Sequence, residues 1–414
     1  MEQVSHAGVW GQTHIDPSAG SPIVDHFSLF HGGPIYHFQS FIGLATPDCS
    51  RVLQRALLAI LLTWLPPLIL SAIQGQAFGT QVRIPFLSDY ATNVRFLIAL
   101  PLLILAEAVI DPRLRHAVKH FVSSGLVDGK ELSSFESTIQ KTNRLRDGWL
   151  PTIVLVLAAF LPSLVLRGKE IIEIIAPAAS SWHTLQSEGG ETLSLAGWWF
   201  ALISIPIYRL FLFRWVWVII TWAVFLRRVS RLRLNCVPTH PDKAGGLGFL
   251  AHTQQFFGLI AFAGSTVVAG GIANQLAYQG ATLFGLKFLI IAACVMILAI
   301  VAAPLLVLTP KLFKVQEKGL FEYGALGSGY VQSFDSKWIH AKPPAAEPLL
   351  GSADIQSLAD LSNSFSVISE MRYVLLDKDT LLSLAVPTLL PMVVLILVVS
   401  PTEELIRAIL KLLA

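Results

Sequence analysis

Charge is what this sequence has least of. Only 14% of its 414 residues are Asp, Glu, Lys or Arg, whereas 54% are hydrophobic, and soluble domains carry roughly 25% charged residues. A chain this apolar cannot hide its side chains in one aqueous core, so lipid must be the solvent for much of it. The formal net charge of +3 is too small to imply a nucleic-acid partner. Cysteine is scarce as well. Cys49, Cys236 and Cys294 lie far apart with no CxxC pair, which indicates neither a disulfide framework nor a thiolate zinc site.

Other absences narrow the chemistry. The first fifty residues carry Glu2, Asp16, Asp25 and Asp48 but no basic stretch followed by an apolar core. No cleavable signal is therefore expected, and the first span acts as the insertion signal. Without GxxxxGK[ST], nothing suggests ATP hydrolysis by this chain. None of the eleven histidines falls within a span core, which argues against a haem held by paired histidines. The spans hold no pair of acidic residues, which weakens a proton- or sodium-coupled carrier. The two halves show no repeat of the kind common in carriers. No cofactor is expected. The lack of an N-x-[ST] acceptor is consistent with a bacterial cytoplasmic membrane.

Crossing the hydrocarbon takes about 20 mostly apolar residues. Uncharged stretches of that kind run Ala56–Ile73, Trp149–Leu166, Phe249–Leu276, Phe288–Leu308 and Thr380–Ser400. A sixth, Val94–Ile110, carries Arg95 and Glu107, and Leu195–Leu226 carries Arg209 and Arg214. Read as one long helix, this last stretch makes seven spans. Twenty-one Lys and Arg residues then fall on the amino-terminal side and six on the other, the asymmetry that the positive-inside rule produces. The sequence thus predicts an all-α, polytopic transmembrane helical bundle of about seven spans, with a cytoplasmic amino terminus and the carboxyl terminus outside. Residues 1–50 form a cytoplasmic or interfacial segment and 51–308 the first six spans. Residues 309–379 form a cytoplasmic insert of two amphipathic helices, joined by a turn at Lys342–Pro348. Residues 380–414 form the seventh span and a short amphipathic external tail.

Proline occurs in six of the seven spans, among them Pro66, Pro67, Pro101, Pro206, Pro304 and Pro387. Each frees a carbonyl that neighbouring helices, hydroxyls or water must satisfy. The fifth span lacks proline. Ala261, Ser265, Ala269 and Ala273 recur there every four residues, a smooth stripe of the kind that lets helices approach closely. It predicts a central place in the bundle or a homo-oligomer interface.

Ionisable groups at depth are the functional candidates. Counting from Arg227, Arg209 lies about 27 Å along the helix and can snorkel outward, whereas Arg214 lies about 20 Å along, within the core. Glu107 is one turn from Asp111, hence about 6 Å below the inner surface. On that count a direct Glu107–Arg214 ion pair is marginal. Arg214 is read either as an anion-attracting or gating group or as a structural arginine bonded to freed carbonyls. Arg209, Glu107 and Ser265 complete the pore or gating candidates.

His240-Pro241-Asp242-Lys243 resembles the tetrapeptide of J-domain co-chaperones, and a basic helix precedes it. That family needs a charged soluble helix next, whereas this chain continues into a span. The stretch is therefore read as a tight turn at the inner surface, with His240, Asp242 and Lys243 as loop candidates and a weak phosphate-cradling alternative for Gly245, Gly246 and Gly248. His116 and His120, four apart on a helix, could present two metal ligands. A solvated helix face is the commoner meaning. His26, His31 and His37 lie among aromatics (Phe27, Phe30, Tyr36, Phe38, Phe41) that suggest packing on the membrane surface.

Three functions remain open. The first is a channel- or transporter-like oligomer passing ions or small solutes. The second is a scaffold or signalling subunit whose cytoplasmic protein partner binds residues 309–379. The third is a metal-dependent enzyme at the inner surface, built from Glu107, Asp111, His116, His120, His240 and Asp242.

Overall fold

A computed structural model of the chain describes residues 22–41, 43–44, 51–165, 180–187, 190–340 and 353–399. The expected amphipathic tail and the expected turn at Lys342–Pro348 lie outside the described residues. Seven helices are long and apolar enough to cross a membrane: Val52–Ile73, Tyr90–Ser123, Leu132–Val165, Leu195–Ser230, Phe249–Tyr278, Leu283–Leu306 and Lys378–Val398. They form a helical bundle and mark a multi-pass membrane protein. Strand is confined, among the described residues, to the hairpin Thr184–Ser187 and Gly190–Leu193, in register Thr184↔Leu193. The helices outrun the apolar windows. The second, at 34 residues, is about 51 Å long, against a hydrocarbon layer of about 30 Å.

Three of these helices start on a capping side chain. Asp89 accepts from Thr92 N at 3.1 Å, Ser194 from Gly197 N at 2.8 Å and Thr282 from Gly285 N at 3.2 Å. Proline then shapes the interiors. The carbonyls freed by Pro66 and Pro67 are those of Leu62 and Thr63, four residues back. Trp199 Nε1 donates to Leu62 O at 3.1 Å, and Ser204 Oγ donates to Thr63 O at 2.7 Å. The fourth span thereby repairs the first. Ahead of Pro101 and Pro206 the helix widens by one residue. Leu100 N reaches back to Arg95 O and Ile205 N to Phe200 O, the i→i+5 bulge that often accompanies a function.

The fifth span is the most enclosed, with 56% of its apolar window buried, against 11% for the third. Its small-residue stripe is occupied within the chain. Ala261, Ser265 and Ala269 are buried, and Ser265 Oγ donates to Thr388 O of the seventh span. Gly258 lies so near that span that a Cβ there would sit 2.7 Å from Ser383 O.

One end of the bundle gathers the loops around 124–131, 231–248, 307–311 and 370–377. Asn235 N donates to Leu126 O and Arg372 N to Lys243 O, both at 2.8 Å, while Lys311 Nζ donates to Leu232 O at 3.0 Å. This is the basic end of the bundle. From it extends a helix of 30 residues, Thr309–Trp338, about 45 Å long. It pairs with Ala353–Ser369 through Tyr330 Oη to Asp354 O at 2.9 Å and Lys337 to Asp354 at 2.8 Å. Phe321 and Leu326 on this pair are 75% and 59% exposed.

Candidate functional site

Three ionised side chains meet inside the bundle near its basic end. Glu107 Oε2 lies 3.2 Å from Arg55 Nη1, with both side chains 5% exposed. It also lies 3.5 Å from Arg214 Nη1, whose side chain is 12% exposed. The pairing of Glu107 with Arg214 corrects the expectation from depth. Counting rise along one axis ignores the length of the arginine side chain and the tilt of a helix of 36 residues. Arg55, one residue ahead of the uncharged stretch Ala56–Ile73, sits on the first turn of the first span, facing inward.

The amino-terminal segment closes over this triad. Phe27 packs on Phe225 and Phe30 on Trp215, both rings essentially fully buried. They enter the bundle instead of lying on a membrane surface, whereas Phe38 and Phe41 are exposed. Burying two such rings and Leu29 contributes about 1.5–3 kcal/mol each. The Phe30 ring centroid is 5.5 Å from the Arg214 guanidinium carbon, within range of a cation–π contact. Gln39 Oε1 accepts from Arg55 Nη1 at 3.3 Å. Gly33, at φ +77, and Gly32 turn the segment against Arg146 and Asp147, and a Cβ on Gly32 would sit 2.4 Å from the Arg146 guanidinium.

A second polar layer adjoins the first. Ser28 Oγ donates to the buried Asp111 at 2.7 Å and accepts from His31 N at 2.9 Å. Arg115 Nε donates to the other Asp111 oxygen at 2.7 Å, and its Nη2 lies 2.7 Å from His31 Nδ1. Burial holds the His31 imidazole below its ordinary value, and nearby Arg115 adds to this against the pull of Asp111. Arg146 donates to Ser28 O and pairs with Asp147 at 2.6 Å. Four guanidinium groups against three carboxylates leave the cluster one positive charge in excess. Beside Arg214 and Arg146 lies a niche of about 40 Å³, room for about one water.

The other candidates are placed elsewhere. Arg209 lies toward the opposite end, beside Arg95, which sits over the Tyr208 ring at 5.7 Å. Arg209 Nη1 is buried without a hydrogen-bond partner. Ser265 serves the contact with the seventh span described above. His240, Asp242 and Lys243 form a closed turn. Asp242 accepts from Ala244 N at 2.8 Å, Gly246 N at 3.1 Å and Gly248 N at 2.8 Å. Burial would raise its carboxyl, but these donors outweigh that and hold it below the usual range. The amides of Gly246 and Gly248 thus serve an internal carboxylate, not a phosphate. His240 Nδ1 is 2.8 Å from Asp242 Oδ1, and Lys243 pairs with Glu370. The turn leads through Phe249–Gln255 straight into the fifth span, unlike a J-domain. His116 and His120 line a groove with His252. Among the described residues no three of His, Cys, Asp and Glu converge as metal ligands. The carboxylates Glu107 and Asp111 face arginines, not these histidines.

The sequence reading missed a second buried cluster, at the far end. Asp89 accepts from Thr92 Oγ1 at 2.6 Å, Trp182 Nε1 at 3.0 Å and Asn274 Nδ2 at 2.8 Å. His183 stacks on Trp182 with centroids 3.8 Å apart. Burial pushes its imidazole down to about 4, so it is neutral at pH 7. An apolar cavity of about 510 Å³ opens nearby among the second, fifth and seventh spans, with no charged side chain in its lining. No protein-family model, curated protein or solved structure matches the chain.

Proposed function

We propose that this protein passes small anions across the cytoplasmic membrane of a bacterium, as a channel or carrier held shut by its own amino-terminal segment. The observation that carries the reading is the Arg55–Glu107–Arg214 triad, sealed by Phe30 and Gln39. An ionised group at depth costs roughly 2.5–3.5 kcal/mol on insertion scales. Apolar residues of similar volume often hold a core as well as buried ion pairs do. The excess positive charge favours an anion. The neighbouring niche, with room for about one water, corresponds to a shut state in which no solute passes. Withdrawal of Val24–Phe41 exposes Arg214 and Arg146 together. The amino terminus and the basic end face the cytoplasm, in keeping with twenty-one basic residues against six.

Purified protein reconstituted into liposomes tests this through efflux of chloride, small carboxylates and potassium. Phe30→Ala should raise anion efflux several-fold above wild type by loosening the seal. Adding Arg214→Ala should cut the preference for anion over cation about tenfold, the equivalent of one lost charge contact. Efflux equal to that of protein-free liposomes for every ion, in both wild type and Phe30→Ala, defeats the proposal.

A scaffold reading rests on a different observation, the helix pair Thr309–Trp338 and Ala353–Ser369 with its exposed Phe321 and Leu326. It requires a soluble protein that co-purifies with the wild type and is lost with Phe321→Ser and Leu326→Ser, while no ion flux accompanies it.

A further inference from the structure

A groove of about 550 Å³ at the basic end carries a chemistry that the gate does not use. Arg113, His116, Lys119 and His120 line one wall, on the extension of the second span. His252 lies opposite, with Phe249 and Phe256 of the helix leading into the fifth span. No carboxylate lines the groove. The nearest pairing is at the rim, where Lys119 meets Asp25 at 2.7 Å with both side chains about half exposed. We infer that this groove binds a phosphate-bearing anion.

The geometry supports this in three ways. The Arg113 guanidinium carbon lies over the Phe256 ring, 3.6 Å from its centroid. One of its nitrogens donates to Val109 O. It has no carboxylate partner among the described residues. Stacking on a ring fixes the guanidinium plane and leaves its edge donors to meet an oxyanion. His116 Nδ1 is engaged at 2.6 Å with Pro112 O, which leaves Nε2 as its free ring nitrogen. Finally, the second span is about 51 Å long where about 30 Å suffices, so its last turns emerge at headgroup level. Basic pockets between spans at that level suit lipid phosphates, and the volume lies in the range of small-ligand sites.

The headgroup of an anionic lipid and free inorganic phosphate share this chemistry, and the test separates them. Full-length protein in mixed micelles is titrated with phosphatidylglycerol or phosphatidylcholine, and bound lipid is counted by native mass spectrometry. Inorganic phosphate then serves as competitor. Wild type should retain phosphatidylglycerol over phosphatidylcholine. Arg113→Gln should weaken that binding about tenfold, as the loss of a charge-assisted contact implies. His252→Gln, on the opposite wall, should weaken it several-fold and decides the matter if Arg113→Gln does not fold. Both should melt like wild type in phosphatidylcholine alone. Displacement by millimolar phosphate makes free phosphate the ligand, whereas resistance to it makes the lipid headgroup the ligand. The inference fails if wild type neither prefers phosphatidylglycerol nor binds phosphate, or if neither variant alters the affinity.

Discussion

Replacing Glu107 with alanine should destabilise the folded protein by about 3–5 kcal/mol, the usual consequence of stripping one partner from a buried ion pair. The loss is large because two guanidinium groups depend on one carboxylate. Arg55 is as buried as Glu107 itself, and its Nε is already without a hydrogen-bond partner. Removing the carboxylate leaves both cations in a low-dielectric interior with Gln39 and the Phe30 ring as their remaining company. Unfolding in mixed micelles, followed by tryptophan fluorescence, measures the effect. The triple variant Glu107→Leu, Arg55→Leu, Arg214→Met should recover most of the stability, since the desolvation cost leaves with the charges. A triad kept for permeation then appears as a protein that is stable yet passes no anion. If Glu107→Ala unfolds like wild type, the triad is not the buried, mutually dependent unit described above.

The second large effect is expected at Asp89. Its carboxylate caps the second span and ties that helix to Trp182 and to Asn274 of the fifth span. Asp89→Ala forfeits the cap, worth about 0.5–2 kcal/mol. It also leaves the Trp182 and Asn274 donors unmatched at about 1–3 kcal/mol each, so a total of about 2.5–8 kcal/mol is expected. The pH dependence follows in sign. Burial alone would raise the Asp89 carboxyl, yet His183, once protonated in acid, and the donors of Thr92, Asn274 and Trp182 hold it below the ordinary value. A depressed folded value contributes stability in full above the unfolded carboxylate value of about 3.9. That stability is lost as pH falls toward the folded value. Wild type should therefore lose stability below about pH 4 more steeply than Asp89→Asn does. Parallel acid titrations of the two would contradict the role given to Asp89.

The seven spans were legible because lipid imposes a length and a polarity that no other solvent demands. Proline was legible in principle: carbonyls freed in the first span had to find donors. That Trp199 and Ser204 supply them depends on which helices are neighbours, which no local pattern encodes. The same limit hid the buried triad. Glu107 and Arg214 were visible singly, but depth counted along one axis set them apart. Arg55 stands at the edge of an apolar run, where no local pattern shows that it faces inward. Ser28, Phe30 and Gln39 carry no periodicity that distinguishes a segment entering the bundle from one lying on a surface. At Asp89 the local signal was present, a capping residue just before an apolar helix. Its partners, 93 and 185 residues away, are a fact of tertiary structure. The small-residue stripe announced close packing correctly, and the seventh span of the same chain takes it up.

Everything assigned to the two ends depends on the bundle crossing a bilayer with Lys141 and Arg231 on the inner side. Single cysteines answer this most directly, introduced as Lys141→Cys, Arg231→Cys and Arg83→Cys in a chain whose own cysteines are replaced. All three positions are exposed. A thiol reagent that cannot cross membranes should label the cysteine at position 83 in intact cells, and those at 141 and 231 only after permeabilisation. Labelling of either 141 or 231 from outside intact cells would contradict the account.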